Sequence, residues 1–471
     1  MIFNSLSFLW SFAGLFFVYY CIPKRLRFMR NLILLGYSLL FYAWGGPKFL
    51  VVMLNSITIN YLCGLLAEQN NPQRVRRAGV FLAGVLGFGM LIWFKYSGFL
   101  AQIMVDLGMS VAIPNVVMPI GISFFTFQGF SYVLDVYRGD APAQHNPLSL
   151  ALYISLFPQL VAGPIVRYTT VEIDITDRCE SSRLISDGAT RFLFGLGKKM
   201  ILANSMAQIA DAVFDQQPNT LYVGLAWLGA LAYTAQIYLD FSAYSDMAIG
   251  LGKIFGFHFL ENFNYPYVSR SISEFWRRWH ISLSSWFRDY VYIPLGGNRC
   301  STFRHICNIA VVWLLTGLWH GASWTYVAWG VWYLILLLGE KYLWGVWLTR
   351  IPNLVQCCIT MTLVVLGWVL FRSNSLSDAI SYWKAMFGMS AGSAQRGQVL
   401  YYLFEFWPEW IAAALACLPI KIYLQKKLEY KSGWYDYLLN YGPKLLALAL
   451  LVLAYSKLVT GSFNPFIYYR F

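Results

Sequence analysis

The sequence predicts an all-α protein that crosses a membrane many times, and three observations lead to that fold class. Of its 471 residues, 58% are hydrophobic and only 12% are charged, and the mean hydropathy is +0.53. A chain with so little polar surface cannot cover a soluble globule. The apolar residues also come in about ten to twelve blocks of roughly 15 to 20 residues, the length that a helix needs to cross the hydrocarbon of a bilayer.

The basic segments between the blocks predict the topology. The first block, residues 2–20, is expected to be a retained helix, because nothing basic precedes it and no small-residue cleavage site follows. Basic stretches at 23–30, 71–79 and 425–436 are expected to lie in the cytoplasm. The last block, 443–459, should then run outward. Both termini are therefore predicted to be extracytoplasmic.

We expect one membrane domain over 1–471, in which 440–471 form a last helix and a tail. The longest polar interruption, 167–188, is predicted to be a loop. Glycine and proline also interrupt apolar runs, and the three such breaks lie at 118–139, 157–168 and 292–299. Irregular backbone at membrane depth needs protein or a watery cavity to receive its polar groups. The breaks therefore predict broken helices around a cavity, the alternative being ordinary interfacial loops.

Charge and cysteine content exclude several functions. The net charge of +13 comes from Lys and Arg in the inter-helix loops, which the positive-inside bias and anionic membrane lipid explain without a nucleic-acid partner. The eight cysteines form no CxxC pair. No HExxH metal motif is present. We expect no bound metal or cofactor, which leaves an imidazole as the candidate general base.

His320 is the first candidate, because it lies in an almost wholly apolar stretch. Helical spacing predicts that Thr316, His320 and Trp324 share one face, with Gly317 and Gly321 forming a small-residue notch beside it. An ionisable side chain within a membrane marks a functional site by default. The alternative is a neutral structural histidine bonded to a backbone carbonyl.

His280 is the second candidate, in a basic and aromatic stretch at 269–299. Helical spacing predicts that Trp276, His280 and Ser284 share one face. The same stretch carries three arginines, Arg277, Arg278 and Arg288. Such a helix commonly lies at the membrane interface. The functional alternative is that the arginines attract the phosphates of an acyl carrier at the cytoplasmic face.

Two carboxylates also lie in apolar surroundings. Asp240 and Asp246 are six residues apart and on different helical faces, so they make a poor catalytic pair. We expect each to bond to a Ser, Tyr or Arg partner within the bundle.

Two stretches, EFWRRWHISLSSWFRDYVYIPLGG at 274–297 and TGLWHGASWTYVAWG at 316–330, resemble the signature of the membrane-bound O-acyltransferase (MBOAT) family. They are most similar to its bacterial polysaccharide branch, the alginate O-acetyltransferase-like proteins, and this resemblance implies a multi-pass protein of the cytoplasmic (inner) membrane of a bacterium. Further similar stretches lie at 1–10, 119–139, 157–168 and 238–257. The resemblance implies a ring of roughly eleven transmembrane helices, the number that the apolar blocks allow, around a central funnel and tunnel.

The resemblance also implies roles for residues. His320 matches the essential histidine of the family, at the floor of a funnel that opens outside, and His280 matches its second histidine. The donor-binding and tunnel residues would be Trp276, Arg277, Arg278, Ser284, Arg288 and Trp319. The supporting residues would be Asp240, Asp246 and Thr316.

The tail, residues 460–471, ends in FIYYRF. It is similar to the end of a small membrane peptide of the related D-alanylation system, in which a tyrosine is thought to carry the acyl group. Phe466, Tyr468 and Phe471 match that motif, and Tyr469 replaces its central Phe. Tyr468 is therefore a candidate acyl relay. The alternative is an aromatic anchor at the membrane interface.

The predicted function is O-acetylation of an exported cell-envelope polysaccharide, such as alginate, cellulose or peptidoglycan. Acetyl-CoA or another thioester carrier would be the donor, and an extracytoplasmic protein with an SGNH or serine esterase-like domain would be the partner. Two alternatives stay open, namely D-alanyl transfer to teichoic acid and transport of a polysaccharide or lipid without acyl chemistry.

Overall fold

Helices make up the regular structure, as the apolar blocks predict. The computed structural model describes residues 2–160, 163–390, 395–420, 422–423, 434–461 and 463–465, and these contain no β-strand. In this part of the chain, five helical stretches are long and apolar enough to cross a membrane: Pro47–Ala67, Gln73–Asp106, Trp324–Leu348, Asn353–Arg372 and Asn440–Val459. The protein is therefore an all-α, multi-pass membrane protein. The ring of roughly eleven helices stays a prediction.

The chain divides into two compact units. Unit 1 comprises Met1–Phe192 and Ser245–Leu260, and unit 2 comprises Leu193–Tyr244 and Glu261–Phe471. The single membrane domain that the sequence predicts stays a prediction.

Small residues allow the helices of unit 1 to approach closely. Its helices are α1 (Leu6–Cys21), α2 (Arg27–Ala43), α3 (Pro47–Ala67), α4 (Gln73–Leu91), α5 (Ser97–Asp106), α6 (Ile122–Arg138), α7 (Pro147–Ser155), α8 (Phe157–Leu160), α9 (Tyr168–Thr176) and the first part of α10 (Ser182–Gly197). A Cβ on Gly129 of α6 would lie 2.2 Å from Nδ2 of Asn60 on α3. One on Gly79 of α4 would lie 2.9 Å from the carbonyl oxygen of Cys63. Such contacts are typical of membrane helices, which gain stability by close packing.

The loop predicted at 167–188 is wrong, because α9 and the start of α10 occupy much of it. Ion pairs of Glu180 with two arginines of α2 stabilise this polar stretch. The carboxylate lies 2.5 Å from the Arg27 guanidinium and also pairs with Arg30. The irregular backbone predicted near 157–168 is present at 163–167, where the Tyr153 hydroxyl donates to the Val166 carbonyl at 3.0 Å.

Unit 2 has an aromatic core and contains both candidate histidines. Its helices are α11 (Asn204–Phe214), the larger part of α12 (Val223–Ile254), α13 (Ile272–Arg278), α14 (Ile281–Phe287), α15 (Thr302–His320), α16 (Trp324–Gly339), α17 (Gly345–Leu348), α18 (Asn353–Arg372), α19 (Leu376–Met386), α20 (Arg396–Glu405), α21 (Trp407–Ala416) and α22 (Trp434–Val459). Trp329, Tyr333 and Trp368 are fully buried in its centre.

Helices of both units continue through π-helical turns, which are wider than α-helical ones. These turns lie at Ile92–Tyr96 in unit 1 and at Lys198–Ala203, Arg288–Tyr292 and Glu340–Trp344 in unit 2. Such turns inside α-helices often occur at functional sites. The turn at Lys198–Ala203 joins α10 to α11 and contacts α22.

Candidate active site

His320 is the last residue of α15 and is buried among aromatic rings. Its ring centroid lies 5.1 Å from those of Trp329 and Phe371, both in edge-on contact. The helix ends there because Gly321 adopts an extended conformation and the Ser323 hydroxyl caps the start of α16. Thr316 and His320 lie four residues apart in α15, as predicted, but the predicted face does not extend to Trp324. Trp324 belongs to α16 and is exposed.

The backbone around His320 is fixed by glycine packing between α15 and α16. A Cβ on Gly317 would lie 2.4 Å from the carbonyl oxygen of Tyr326, and one on Gly330 would lie 2.5 Å from that of Trp313. The notch that the sequence predicts from Gly317 and Gly321 is therefore wrong in its second residue: Gly321 lies beyond the end of α15, and Gly330 of α16 faces Gly317 instead. Thr316 donates to the carbonyl of Val312 in its own helix.

His280 does not lie inside a helix. It is the second of the two residues between α13 and α14, after Trp279, and has a left-handed backbone (φ 43°, ψ 55°). This conformation is uncommon for a residue other than glycine, and it indicates that the surrounding structure imposes it. The helical face predicted for Trp276, His280 and Ser284 is therefore wrong. The Ser284 hydroxyl instead donates to the Trp276 carbonyl at 3.3 Å.

Asn262 holds the buried His280 ring. Its side-chain oxygen lies 3.1 Å from Nδ1 of His280 and accepts from the hydroxyl and the N–H of Ser282 at 2.9 and 3.2 Å. The Asn262 carbonyl accepts from the N–H of Ile281 at 2.9 Å. Among the described residues, the buried Nε2 of His280 has no hydrogen-bond partner.

A single tryptophan connects the two histidines. The ring of Trp319 lies 5.8 Å from that of His280 and 5.0 Å from that of its neighbour His320. On its other side, His280 is in perpendicular contact with Phe241 of α12, at 4.6 Å between centroids. The two histidines predicted from sequence therefore belong to one buried aromatic site. Trp276 lies deeper in the core, with its ring 4.7 Å from that of Trp313.

A polar cavity of about 700 Å³ lies beside α13. Its lining residues are Asn264, Arg270, Ser271, Glu274, Arg277, Arg278, Glu340, Gly345, Leu348, Thr349 and Gln356. Arg278 pairs with Glu274 at 2.7 Å. Burial raises the pKa of Glu274, but bonds from the Arg270 N–H and the Arg278 guanidinium outweigh it, so the pKa lies below its usual value. The carboxylate therefore stays charged at neutral pH.

The structure separates the predicted donor-binding residues. Arg277 and Arg278 line the cavity, whereas its lining, as far as the described residues show, does not include the other four: Trp276, Ser284, Arg288 and Trp319. Arg288 is in contact with its neighbour Asp289 at 2.6 Å. The cavity is therefore a basic site distinct from the aromatic one.

The two aspartates have different cationic partners. Asp240 lies 2.9 Å from the ammonium group of Lys199, and both side chains are buried in unit 2. Asp246 lies in unit 1, 2.9 Å from the Arg191 guanidinium. Asp246 thus has an arginine partner, as the sequence predicts, whereas the ion pair of Asp240 is with a lysine.

Among the described residues, no three His, Cys, Asp or Glu side chains are grouped so as to hold a metal ion. The predicted relay residue Tyr468 lies outside the described residues, as do Tyr469, Phe466 and Phe471.

Sequence reasoning missed four polar residues of this region: Lys199, Asn262, Arg270 and Glu340. The pair of lysines at 198 and 199 inside an apolar run was a usable signal, because a charged residue there needs a partner. Nothing local marked Asn262, which acts on a residue 18 positions later.

Comparison with known proteins agrees with these features. Residues 139–371 match the model of the membrane-bound O-acyltransferase family. The chain is 45% identical over 395 residues to a protein named probable alginate O-acetylase AlgI in Pseudomonas aeruginosa, covering 82% of this chain and 75% of the relative. It is 33% identical to the peptidoglycan O-acetyltransferase of Helicobacter pylori, covering 83% and 81%. It is 28% identical to the teichoic acid D-alanyltransferase of Bacillus subtilis, covering 55% and 70%.

Proposed function

The chain belongs to the membrane-bound O-acyltransferase family and is an O-acyltransferase, and from that premise we propose that it moves an acetyl group across the membrane for O-acetylation of an exported cell-envelope polysaccharide. Acetyl-CoA on the cytoplasmic side is the donor. The observation that carries the proposal is the buried pair of His280 and His320 on either side of Trp319, within the segment that matches the family.

His320 is the general base in this proposal. It takes the proton from an attacking hydroxyl as that oxygen bonds to the carbonyl carbon of the thioester. The carbon–sulfur bond then breaks, and the departing thiolate takes the proton from the imidazolium to leave as a free thiol. A positioned base contributes about a hundred- to ten-thousandfold to such a step. The enclosing rings of Trp329 and Phe371 exclude water, which would otherwise hydrolyse the thioester.

The attacking hydroxyl is assigned to Tyr468 of the tail, which then carries the acetyl group as a phenyl ester. A serine of the extracytoplasmic esterase-like partner, or a polysaccharide hydroxyl, attacks that ester and releases the tyrosine. The covalent intermediate thus divides one difficult acetyl transfer into two easier steps, as is usual for covalent catalysis.

The cavity beside α13 is the proposed site for the charged part of the donor. Arg270, Arg277 and Arg278 face two glutamates there, Glu274 and Glu340, so the lining has an excess of positive charge. Guanidinium groups bind phosphate oxygens through paired hydrogen bonds, which suits the phosphates of coenzyme A.

The test is acetyl transfer by purified protein in liposomes that contain radiolabelled acetyl-CoA, with a soluble polysaccharide acceptor and the partner outside. We expect His320→Gln to lower the transfer rate by about a hundredfold or more, while the variant still inserts and elutes as the wild type does. His145→Gln removes an exposed histidine and is the matched control. Equal rates for His320→Gln and the wild type would remove His320 from the mechanism.

The same assay separates the alternatives. The similarity to a teichoic acid D-alanyltransferase favours D-alanyl transfer as the second candidate. A D-alanyl carrier that replaces acetyl-CoA as the productive donor would establish it. Movement of acceptor across the membrane without donor cleavage would instead indicate a transporter.

A further inference from the structure

Lys199 is a charged residue that lies in an apolar region, out of contact with solvent. It is 2% exposed and belongs to the π-helical turn between α10 and α11. A buried ammonium group is costly unless it is paired and its remaining protons are bonded. One partner is the Asp240 carboxylate, 2.9 Å away and itself buried.

The second partner of Lys199 comes from the tail. Its ammonium group donates to the carbonyl oxygen of Pro465. One residue earlier, the side-chain oxygen of Asn464 accepts from Nδ2 of Asn204 at 3.3 Å. Proline has no backbone N–H, so its carbonyl is the group that it offers for a backbone hydrogen bond. Two polar side chains on one helical stretch therefore bind two consecutive residues of the tail.

The helix that precedes the tail is anchored to the same stretch. A Cβ on Gly197 would lie 3.0 Å from Cβ of Leu450, so α22 packs directly on the backbone next to the π-helical turn. Gly197, Lys199 and Asn204 thus contact the end of the chain at three successive points.

We propose that Lys199, Asp240 and Asn204 form a dock for Asn464 and Pro465 and so fix the chain three residues before the candidate relay residue Tyr468. This deepens the proposed function and rests on it. Phe241, the neighbour of Asp240, contacts the His280 ring at 4.6 Å, so the dock adjoins the aromatic site. Three extended residues span at most about 11 Å, which bounds the distance from Pro465 to Tyr468. Lys199 is a positioning residue in this arrangement, since it holds a carbonyl that does not react.

The experiment measures where the tail lies, independently of acyl chemistry. Phe463 is replaced by p-benzoylphenylalanine in the full-length protein in liposomes, and photo-crosslinks are mapped by mass spectrometry. We expect crosslinks to residues 198–204. The double variant Lys199→Met/Asp240→Leu removes both charges, and such replacement of a buried pair by apolar residues usually preserves folding. We expect it to lower this crosslink by about tenfold or more, because the ammonium group no longer binds Pro465.

The matched control is Arg372→Met/Asp211→Leu, which removes an ion pair of unit 2 between α18 and α11, at 2.6 Å, made by a buried arginine and a partly buried aspartate. It should leave the crosslink at the wild-type level. Lys199→Arg keeps a charged hydrogen-bond donor and should retain most of the crosslink. An unchanged crosslink in Lys199→Met/Asp240→Leu, or its absence in the wild-type background, would overturn the dock.

Acetyl label on the last peptide is measured in the same samples. Loss of the label together with the crosslink supports the dock as part of the relay. A crosslink that depends on Lys199 with no label on the wild-type tail supports the dock and rejects the relay step of the proposed function.

Discussion

The side-chain oxygen of Asn262 lies 3.1 Å from Nδ1 of His280. The same oxygen accepts from the backbone N–H of Ser282, so it is an acceptor, and Nδ1 must carry the ring proton. Nε2 of the neutral ring is then an acceptor with a buried lone pair. An unsatisfied buried acceptor costs about 1–3 kcal/mol, and such a cost persists where it serves a function. Asn262 therefore selects the tautomer in which His280 can receive a proton.

Removal of this orienting bond should impair catalysis. We expect Asn262→Ala to lower the acetyl-transfer rate by about a hundredfold, because the His280 ring beside Trp319 loses its orienting bond and a small misplacement within an active site has effects of that size. The measurement is the single-turnover rate in liposomes at saturating acetyl-CoA.

Asn308→Ala is the control for loss of a buried asparagine. Asn308 donates to the Gly297 carbonyl at 3.1 Å and is likewise in unit 2. It should keep a rate within a few-fold of the wild type, about the range for a site outside the mechanism. Comparable losses in the two variants would show that Asn262 supports only the fold.

The helical nature of the chain and the burial of His320 could be predicted from sequence, because block length and a histidine in an apolar stretch are local signals. The end of α15 could also have been predicted. Gly321 and Ser323 are the residue types that end one helix and cap the next.

The conformation of His280 could not be predicted in this way. Its left-handed backbone depends on bonds from the following residues to Asn262, which is distant in sequence. The cavity beside α13 could not be predicted either, because Glu340 lines it from a different helical segment, where its carboxylate accepts from the N–H of Ile272 at 2.6 Å. Tertiary contacts decide both features, and a pattern within one segment does not contain them.

Gly317 should tolerate no side chain. In Gly317→Ala the new Cβ would lie 2.4 Å from the Tyr326 carbonyl oxygen, so α15 and α16 must move apart. We expect a loss of about 1–3 kcal/mol in unfolding free energy, together with reduced acetyl transfer, because His320 is three residues away. Thermal unfolding in detergent and the liposome assay measure the two effects.

Gly89→Ala is the matched control, since Gly89 lies in α4 and a methyl group there would meet no packing atom of the described residues within 4 Å. Alanine at this position should be neutral or stabilising by up to about 1 kcal/mol. Equal melting temperatures for Gly317→Ala and Gly89→Ala would contradict close packing at α15 and α16.

Arg277 should contribute to donor binding and not to the chemical step. It lines the cavity, and its Nε donates to the backbone carbonyl of Ser273 at 3.2 Å, which leaves the remaining guanidinium donors for a phosphate. We expect Arg277→Ala to raise KM for acetyl-CoA by about tenfold, the effect of a charge-assisted hydrogen bond, with kcat nearly unchanged. Added salt should reduce the difference in KM between Arg277→Ala and the wild type.

Arg183→Ala is the control: it removes an exposed arginine of unit 1 and should leave KM for acetyl-CoA unchanged. A lower kcat at constant KM in Arg277→Ala would move this residue from the donor site to the reaction itself, because only interactions made in the transition state act on kcat alone.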